Sequence, residues 1–228
     1  MRDYDEAMTG DAVTASISPG ASAKPSAPVR RGPYAKSARR RQEIIDAATT
    51  VFASRGYHGG SLRDIARQIE MSLTSVVHHF PTKTELLEAV LENADRTSPW
   101  AQAPSLDSGT AAAVLDLVRF NLDRPELLRL LAILASEASA PDHPAHQWFV
   151  DRYRRITADF ARFIRHDQDA GLVASDVNIE DAARAVIAAW DGFQLQWLLD
   201  PTQDMAVHMA NALRRLLPVQ NDSSAEGQ

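Results

Sequence analysis

The chain has 228 residues, 45% of them apolar, no cysteine and a formal net charge of −6. That is enough for one or two domains with a core; it excludes a disulfide framework or a thiolate metal site, and no run approaches the roughly 18 apolar residues of a membrane span. The opening MRDYDEAMTGD is acidic and lacks the apolar stretch of a secretory signal, so a soluble, cytoplasmic protein is expected. Charge is unevenly distributed. Between Arg30 and Lys83 ten Lys and Arg face four acids, a net of +6, whereas residues 84–228 carry twelve bases against twenty-two acids, a net of −10. A basic segment on an acidic body predicts a polyanion-binding end.

Residues 1–35 are rich in Ala, Ser, Pro and Gly, cannot bury enough surface to offset ordering entropy, and read as a disordered arm with a basic end. A helix follows over about 40–55, with Ile44, Ala48, Val51 and Phe52 on one face and Gly56 ending it. Ser61 caps a short helix whose buried face is Leu62, Ile65, Ala66 and Ile69. Ser72 caps a second that runs to about His79, where Phe80 is pushed out of helical geometry by Pro81. Thr82-Lys83-Thr84-Glu85 is a capping box opening the next helix. After a polar break near 97–106, the pattern is helical throughout: about 107–122, a helix opened by Asp123-Arg124-Pro125, a break at 139–144, a long helix through Trp148 and Phe163, one opened by Asn178, and a last one to Pro218. Gly171 is a plausible cap for the long helix.

No segment alternates like a strand, so the fold is read as all-α: an N-terminal three-helix helix-turn-helix domain plus a C-terminal helical bundle. The expected units are the arm 1–35, a helix-turn-helix DNA-binding domain 36–85, an effector-binding and dimerisation bundle 86–218, and a disordered tail 219–228. The two short helices cannot persist alone and must pack on the 40–55 helix. Small Ala66 sits at their crossing, and Ile69, Met71 and Val76 plug the seam. The second helix is then the one for the DNA major groove. On it, Ser72, Leu73, Thr74, Val77, His78 and His79 are the candidate contacts: Leu73 and the Thr74 methyl for a thymine methyl, a hydroxyl or imidazole for a base or phosphate. His79 serves either a phosphate or the first helix. Leu62 completes that set from the preceding helix. Lys83, at a helix N-terminus, is expected to clamp a phosphate. Arg39, Arg40 and Arg41 are expected along the backbone or in the minor groove.

The segments RQEIIDAATTVFASRGYHGGSLRDIA (41–66) and MSLTSVVHHFPTKTELL (71–87) resemble the TetR family of regulators. The resemblance implies that Ser61 also touches a phosphate, and that the protein is a ligand-released repressor. It departs at two places. Glu70 stands where the family usually has Gly, at a turn that often needs positive φ and costs a non-Gly residue about 1 kcal/mol. Val77 stands where an aromatic is common, removing a phenol contact.

In the body, Val186, Trp190, Phe193 and Trp197 form one apolar side of a helix, and Met205, Met209, Leu213 and Leu216 one side of the last. Paired with their symmetry copies they would make a four-helix homodimer interface, which the resemblance also implies. Phe120, Trp148, Phe149, Tyr153 and Phe160 are candidate walls of a small-molecule pocket between helices. His143 and His146 flank Pro144 and read as a solvated loop rather than a metal site. With no phosphate-binding loop, nucleophile elbow or paired-carboxylate motif, the expectation is a non-enzyme without cofactor that binds double-stranded DNA. Two other readings remain open. An architectural DNA-binding protein or activator without an effector predicts a body without a cavity; a helical enzyme or carrier predicts no DNA affinity.

Overall fold

The computed structural model describes residues 33–99 and 108–219. Almost all of the expected arm and of the expected tail lie outside them. Among the described residues the chain forms nine helices and no strand: α1 Pro33–Gly59, α2 Leu62–Gln68, α3 Leu73–His79, α4 Lys83–Arg96, α5 Gly109–Leu122, α6 Pro125–Glu137, α7 His146–Asp169, α8 Ile179–Leu199 and α9 Met205–Leu216. Among the described residues no helix is long and apolar enough to cross a membrane.

α1 begins seven residues earlier than the apolar periodicity suggests, and so takes in the end of the expected arm. Pro33 is pre-organised for a first helical turn. Glu43 then bridges Arg39 and Arg40 one turn back, at 3.0 and 2.6 Å, which supports the polar extension. Arg39, Arg40 and Arg41 are therefore part of a helix rather than of a loose tail. Gly56, at φ 68°, breaks the helix where expected.

The short helices are defined by their caps. Ser61, Ser72 and Thr82 each accept the backbone N–H three residues on, at 3.1 Å. Such caps are worth about 1 kcal/mol each, a large share of what a seven-residue helix needs. α2 ends in a Schellman motif: Met71 N–H donates to the Ala66 carbonyl and Glu70 N–H to that of Arg67. Glu70 occupies its left-handed position at φ 53°, so the strain expected from the sequence is present. After α7 the same position is filled by Gly171 at φ 72°.

Two cores result. The first joins Ile44, Ala48, Val51 and Phe52 of α1 to Ile65, Ala66, Val76 and Phe80, and continues through Leu86 and Leu87 of α4 into Leu130, Leu134 and Phe149 of α6 and α7. The helix-turn-helix end and the body thus share one continuous packed interior. The second core lies deeper in the body, among Val114, Val118, Ile164, Val186, Met205, Met209 and Leu213.

Candidate nucleic-acid interface and body cavity

α3 is held by a single fully buried anchor, Val76, at its middle. That orientation turns Leu73, Thr74, Val77 and His78 outward, with Leu73 and Val77 each 38% exposed. One turn apart, these two apolar side chains share a stripe beside Thr74 and His78. Ser72 is exposed as well, but its hydroxyl caps α3. His79 is half-buried, its ring edge-on to His78 at 5.6 Å. Leu62 is half-buried and packs on the first core, so it supports α2 rather than facing outward.

The polar surroundings are more committed than the sequence suggests. The Ser61 hydroxyl accepts the Asp64 N–H and donates to the Asp64 carboxylate. Asp64 in turn pairs with Arg55 at 3.3 Å and Arg67 at 3.2 Å. The Ser61 hydrogen bond, then the two guanidiniums, hold its carboxyl below the usual range. Arg40 and then Arg39 do the same for Glu43. Arg41 lies over the Phe80 ring at 4.5 Å, tying α1 to the end of α3.

Lys83 differs from the expected clamp. Its ammonium turns inward, donating to the carbonyls of Tyr57 at 2.6 Å and Gly60 at 2.9 Å, and sits 4.2 Å from the Tyr57 ring centre. Burial lowers its pKa, with Glu137 opposing. The carbonyls freed by the Gly56 break need a donor, and Lys83 supplies it. Those acceptors lie 23 and 26 residues upstream, beyond any local spacing rule.

Around this lysine is a junction that the sequence reading missed. Glu137, at the end of α6, accepts the Tyr57 N–H at 2.7 Å. A Cβ at Gly56 would lie 2.1 Å from the Glu137 carboxylate, so glycine also permits this approach. His143 is buried rather than solvated. Its Nδ1 accepts the Ala145 N–H at 3.1 Å, its Nε2 faces Glu137 at 3.8 Å, and its ring meets those of Tyr57 and His58 edge-on at 5.2 and 5.5 Å. Burial lowers its pKa, with Glu137 opposing. His146 bonds separately to the Ala138 carbonyl at 2.8 Å.

The body holds a cavity of about 870 Å³, open to solvent on one side and walled by α4 to α8. Phe149, Tyr153 and Phe160 line it, as expected; Phe120 and Trp148 do not. Phe120 is exposed under the Arg124 guanidinium, and Trp148 packs edge-on against Phe149 at 4.8 Å. Trp190, expected in the dimer seam, is a cavity wall together with Asp191 and Gln194. Its indole N–H donates to Gln194 at 2.9 Å. The Tyr153 hydroxyl donates to Asp191 at 2.8 Å. Burial, then the charge of Asp191, pushes Tyr153 up to about 12. Burial also raises Asp191, against the Tyr153 hydrogen bond and the charge of Arg152. A shallower cleft of about 550 Å³ shares Phe149 and Tyr153.

The expected dimer residues divide. Val186, Met205, Met209 and Leu213 are at most 2% exposed and belong to the second core of the same chain. They are not available to a partner. α8 and α9 carry apolar residues on more than one side, and the broader stripe packs inward. Phe193, Trp197 and Leu216 border that core while partly exposed. Leu199 and Val207, 79% and 52% exposed, extend the outward apolar surface, and Phe193 stacks on His208 at 5.7 Å.

The family model "Bacterial regulatory proteins, tetR family" matches residues 44–90. Over 170 residues the chain is 32% identical to the HTH-type nicotine-responsive transcriptional repressor HdnoR of Paenarthrobacter nicotinovorans, covering 72% of this chain and 86% of that relative. Among solved structures, the multidrug binding protein EbrR complexed with malachite green is 26% identical, covering 79% of this chain and 99% of that one at a TM-score of 0.59. Salmonella enterica GusR, 23% identical, shares the fold at a TM-score of 0.65, covering 78% and 95%.

Proposed function

The chain belongs to the TetR family of bacterial regulatory proteins, and on that premise we propose that it is a homodimeric repressor that binds a pseudo-palindromic operator and is released by a small-molecule effector. The observation that carries this reading is the outward stripe of α3: Leu73, Thr74, Val77 and His78 project from a helix anchored behind by Val76. Apolar side chains left exposed on a short, well-anchored helix suit thymine methyls, and Thr74 and His78 suit base edges. Arg39, Arg40 and Arg41 at the start of α1 supply the sequence-independent attraction to phosphate. A two-fold dimer through the outward sides of α8 and α9 would present two such helices to one face of a duplex.

The cavity favours an effector over an architectural protein without one. The relative named as nicotine-responsive and the structural neighbour complexed with malachite green support the same reading. For an effector to act, it must bind two states with different affinity. α6 supplies the connection: Leu127, Leu128, Leu131 and Ala135 line the cavity, and Glu137 at its end holds Tyr57 of α1. α4 lines the cavity at Ala94 and Asp95 and carries Lys83 at its other end. A ligand that displaces either helix alters the support of α2 and α3.

The test is selection of bound sequences from random duplex DNA by the pure protein, at several salt concentrations. The expected result is a two-fold-symmetric consensus whose affinity falls linearly on a log–log salt plot. Binding without sequence preference, or no binding at low ionic strength, would reject the proposal.

A further inference from the structure

Two spaces flank α7, the cavity of about 870 Å³ and the cleft of about 550 Å³, and they share part of their lining. α7 divides them by helical spacing: Ile156 and Phe160 face the cavity, Val150 and Ala158 the cleft. α8 does not divide them. Glu180 and Arg184 border the cleft, and Ile187 and Asp191 the cavity; these four follow one stripe of the helix, so a single wall runs past both spaces. Three residues border both: Ala135, Phe149 and Tyr153. Ala135 has too little bulk to separate them. Phe149 is 6% exposed, belongs to the first core and lies edge-on against Trp148. Tyr153 is half-buried on the margins of both cores, so its ring is the part of the boundary with room to turn. Its hydroxyl donates to Asp191, across on α8, at 2.8 Å. Asp191 is exposed and feels the charge of Arg152, so this bond is a tether at a wet boundary and not a buried clamp.

We infer that Tyr153 is the residue that selects effectors by length, and that the cleft is an extension of the cavity's binding site, open to elongated, mainly apolar molecules once the Tyr153 ring is out of the way. This rests on the effector reading above and specifies the shape of the ligand. Leu127, Leu131, Ile187 and Trp190 give the cavity an apolar wall. Each methylene laid against such a wall strengthens binding about fourfold, until the chain meets the Tyr153 ring. A longer ligand must displace the ring and break its bond to Asp191. A neutral hydrogen bond of this kind is worth about two- to tenfold in binding. That loss cancels the gain from one or two methylenes, so affinity levels off at the partition instead of rising further. With the ring removed, the continuous wall of α8 leads the same chain into the cleft. Phe149 cannot act in this way, because turning it would open the first core.

The test uses the full chain and a series of 4-n-alkylbenzyl alcohols, ethyl to decyl, which are uncharged and differ in length alone. Binding is read by calorimetry and by tryptophan fluorescence, to which Trp190 in the cavity wall contributes. Wild-type affinity should rise about fourfold per methylene and then level off. In Tyr153→Ala the rise should continue for about two or more further carbons. Tyr153→Phe keeps the ring and should level off at the same carbon as the wild type. Ala158→Phe refills the cleft, and in the Tyr153→Ala background it should bring the levelling-off back. Circular dichroism and binding of the shorter members report that each variant is folded, and the wild-type series needs no variant. A wild-type series with no plateau, a plateau unmoved in Tyr153→Ala or equally lost in Tyr153→Phe, or an extension that Ala158→Phe does not shorten overturns the inference. Retention of selected duplex is measured in the same samples. Release of DNA without a length limit rejects the partition and keeps the effector; a length limit set by Tyr153 without release does the reverse; absence of both binding and release rejects both.

Discussion

The two ends of the molecule solve the placement of polar groups in opposite ways. In the DNA-binding end, most charges find partners within one or two turns: Arg39 and Arg40 with Glu43, Arg67 with Asp64, Ser61 with Asp64. In the body, and at its junction with that end, the decisive pairs span long stretches of chain: Arg155 with Asp95, Tyr153 with Asp191, and Tyr57 with Glu137 across the junction. The first kind of pairing sets a surface for a partner whose chemistry is invariant, the phosphate backbone. The second kind builds a chamber whose chemistry is specific to this chain.

The contrast can be pressed by substitution. The largest effect is expected at the anchor of α3. Val76→Asp buries an unpaired carboxylate among Ile44 neighbours of the first core, and should destabilise the fold by about 3–5 kcal/mol, lowering the denaturation midpoint and abolishing DNA binding. Next is the junction. Glu137→Ala leaves the buried Tyr57 N–H without its acceptor, at a cost of about 1–3 kcal/mol. Urea denaturation measures that loss, and DNA retention titrated with effector should show weakened release. Smaller and of opposite sign, Glu70→Gly relieves a left-handed residue and should gain about 1 kcal/mol. A gain there with an unchanged operator consensus would show that the turn tolerates its strain without using it to aim α3.

Acid offers a milder probe of the same junction. His143 has a pKa lowered by burial in the folded state, so the unfolded chain binds its proton more readily. Its contribution to stability is complete above the unfolded value of about 6.5 and is lost as pH falls through the folded one. Stability of the wild type should therefore decline more steeply below about pH 6.5 than that of His143→Phe. Parallel pH profiles for the two proteins would remove His143 from the junction's account.

The same contrast explains what the sequence could reveal. Caps are local, so Ser61, Ser72, Thr82 and Asn178 mark their helices without any tertiary information. Apolar spacing likewise identified Val76 as a seam residue and left the Leu73 stripe outward. The glycine-requiring turn at Glu70 was legible from the family pattern and is present in the backbone. Lys83 was not, because the carbonyls it caps exist only after α1 breaks at Gly56 and folds back. Nor was the division of α8 and α9. Met205 and Trp190 lie on apolar helix faces of similar composition, yet one is core and the other cavity wall. Periodicity identifies that a face is buried; it does not say against what. Three of the five aromatics on the expected pocket wall line it; Trp148 does not because the long amphipathic α7 presents several faces to different neighbours, and Phe120 lies on the exposed side of α5.

The central claim is that the exposed stripe of α3 reads bases, and it is tested most directly by repeating the duplex selection with His78→Ala beside the wild type. His78 is exposed and contributes nothing to the first core, so the variant should remain folded. The account predicts a consensus that loses preference at one base step in each half-site, symmetrically, with the remaining positions intact. A uniform weakening over all sequences, or a consensus identical to the wild type, would contradict base readout by this residue and move the recognition surface elsewhere.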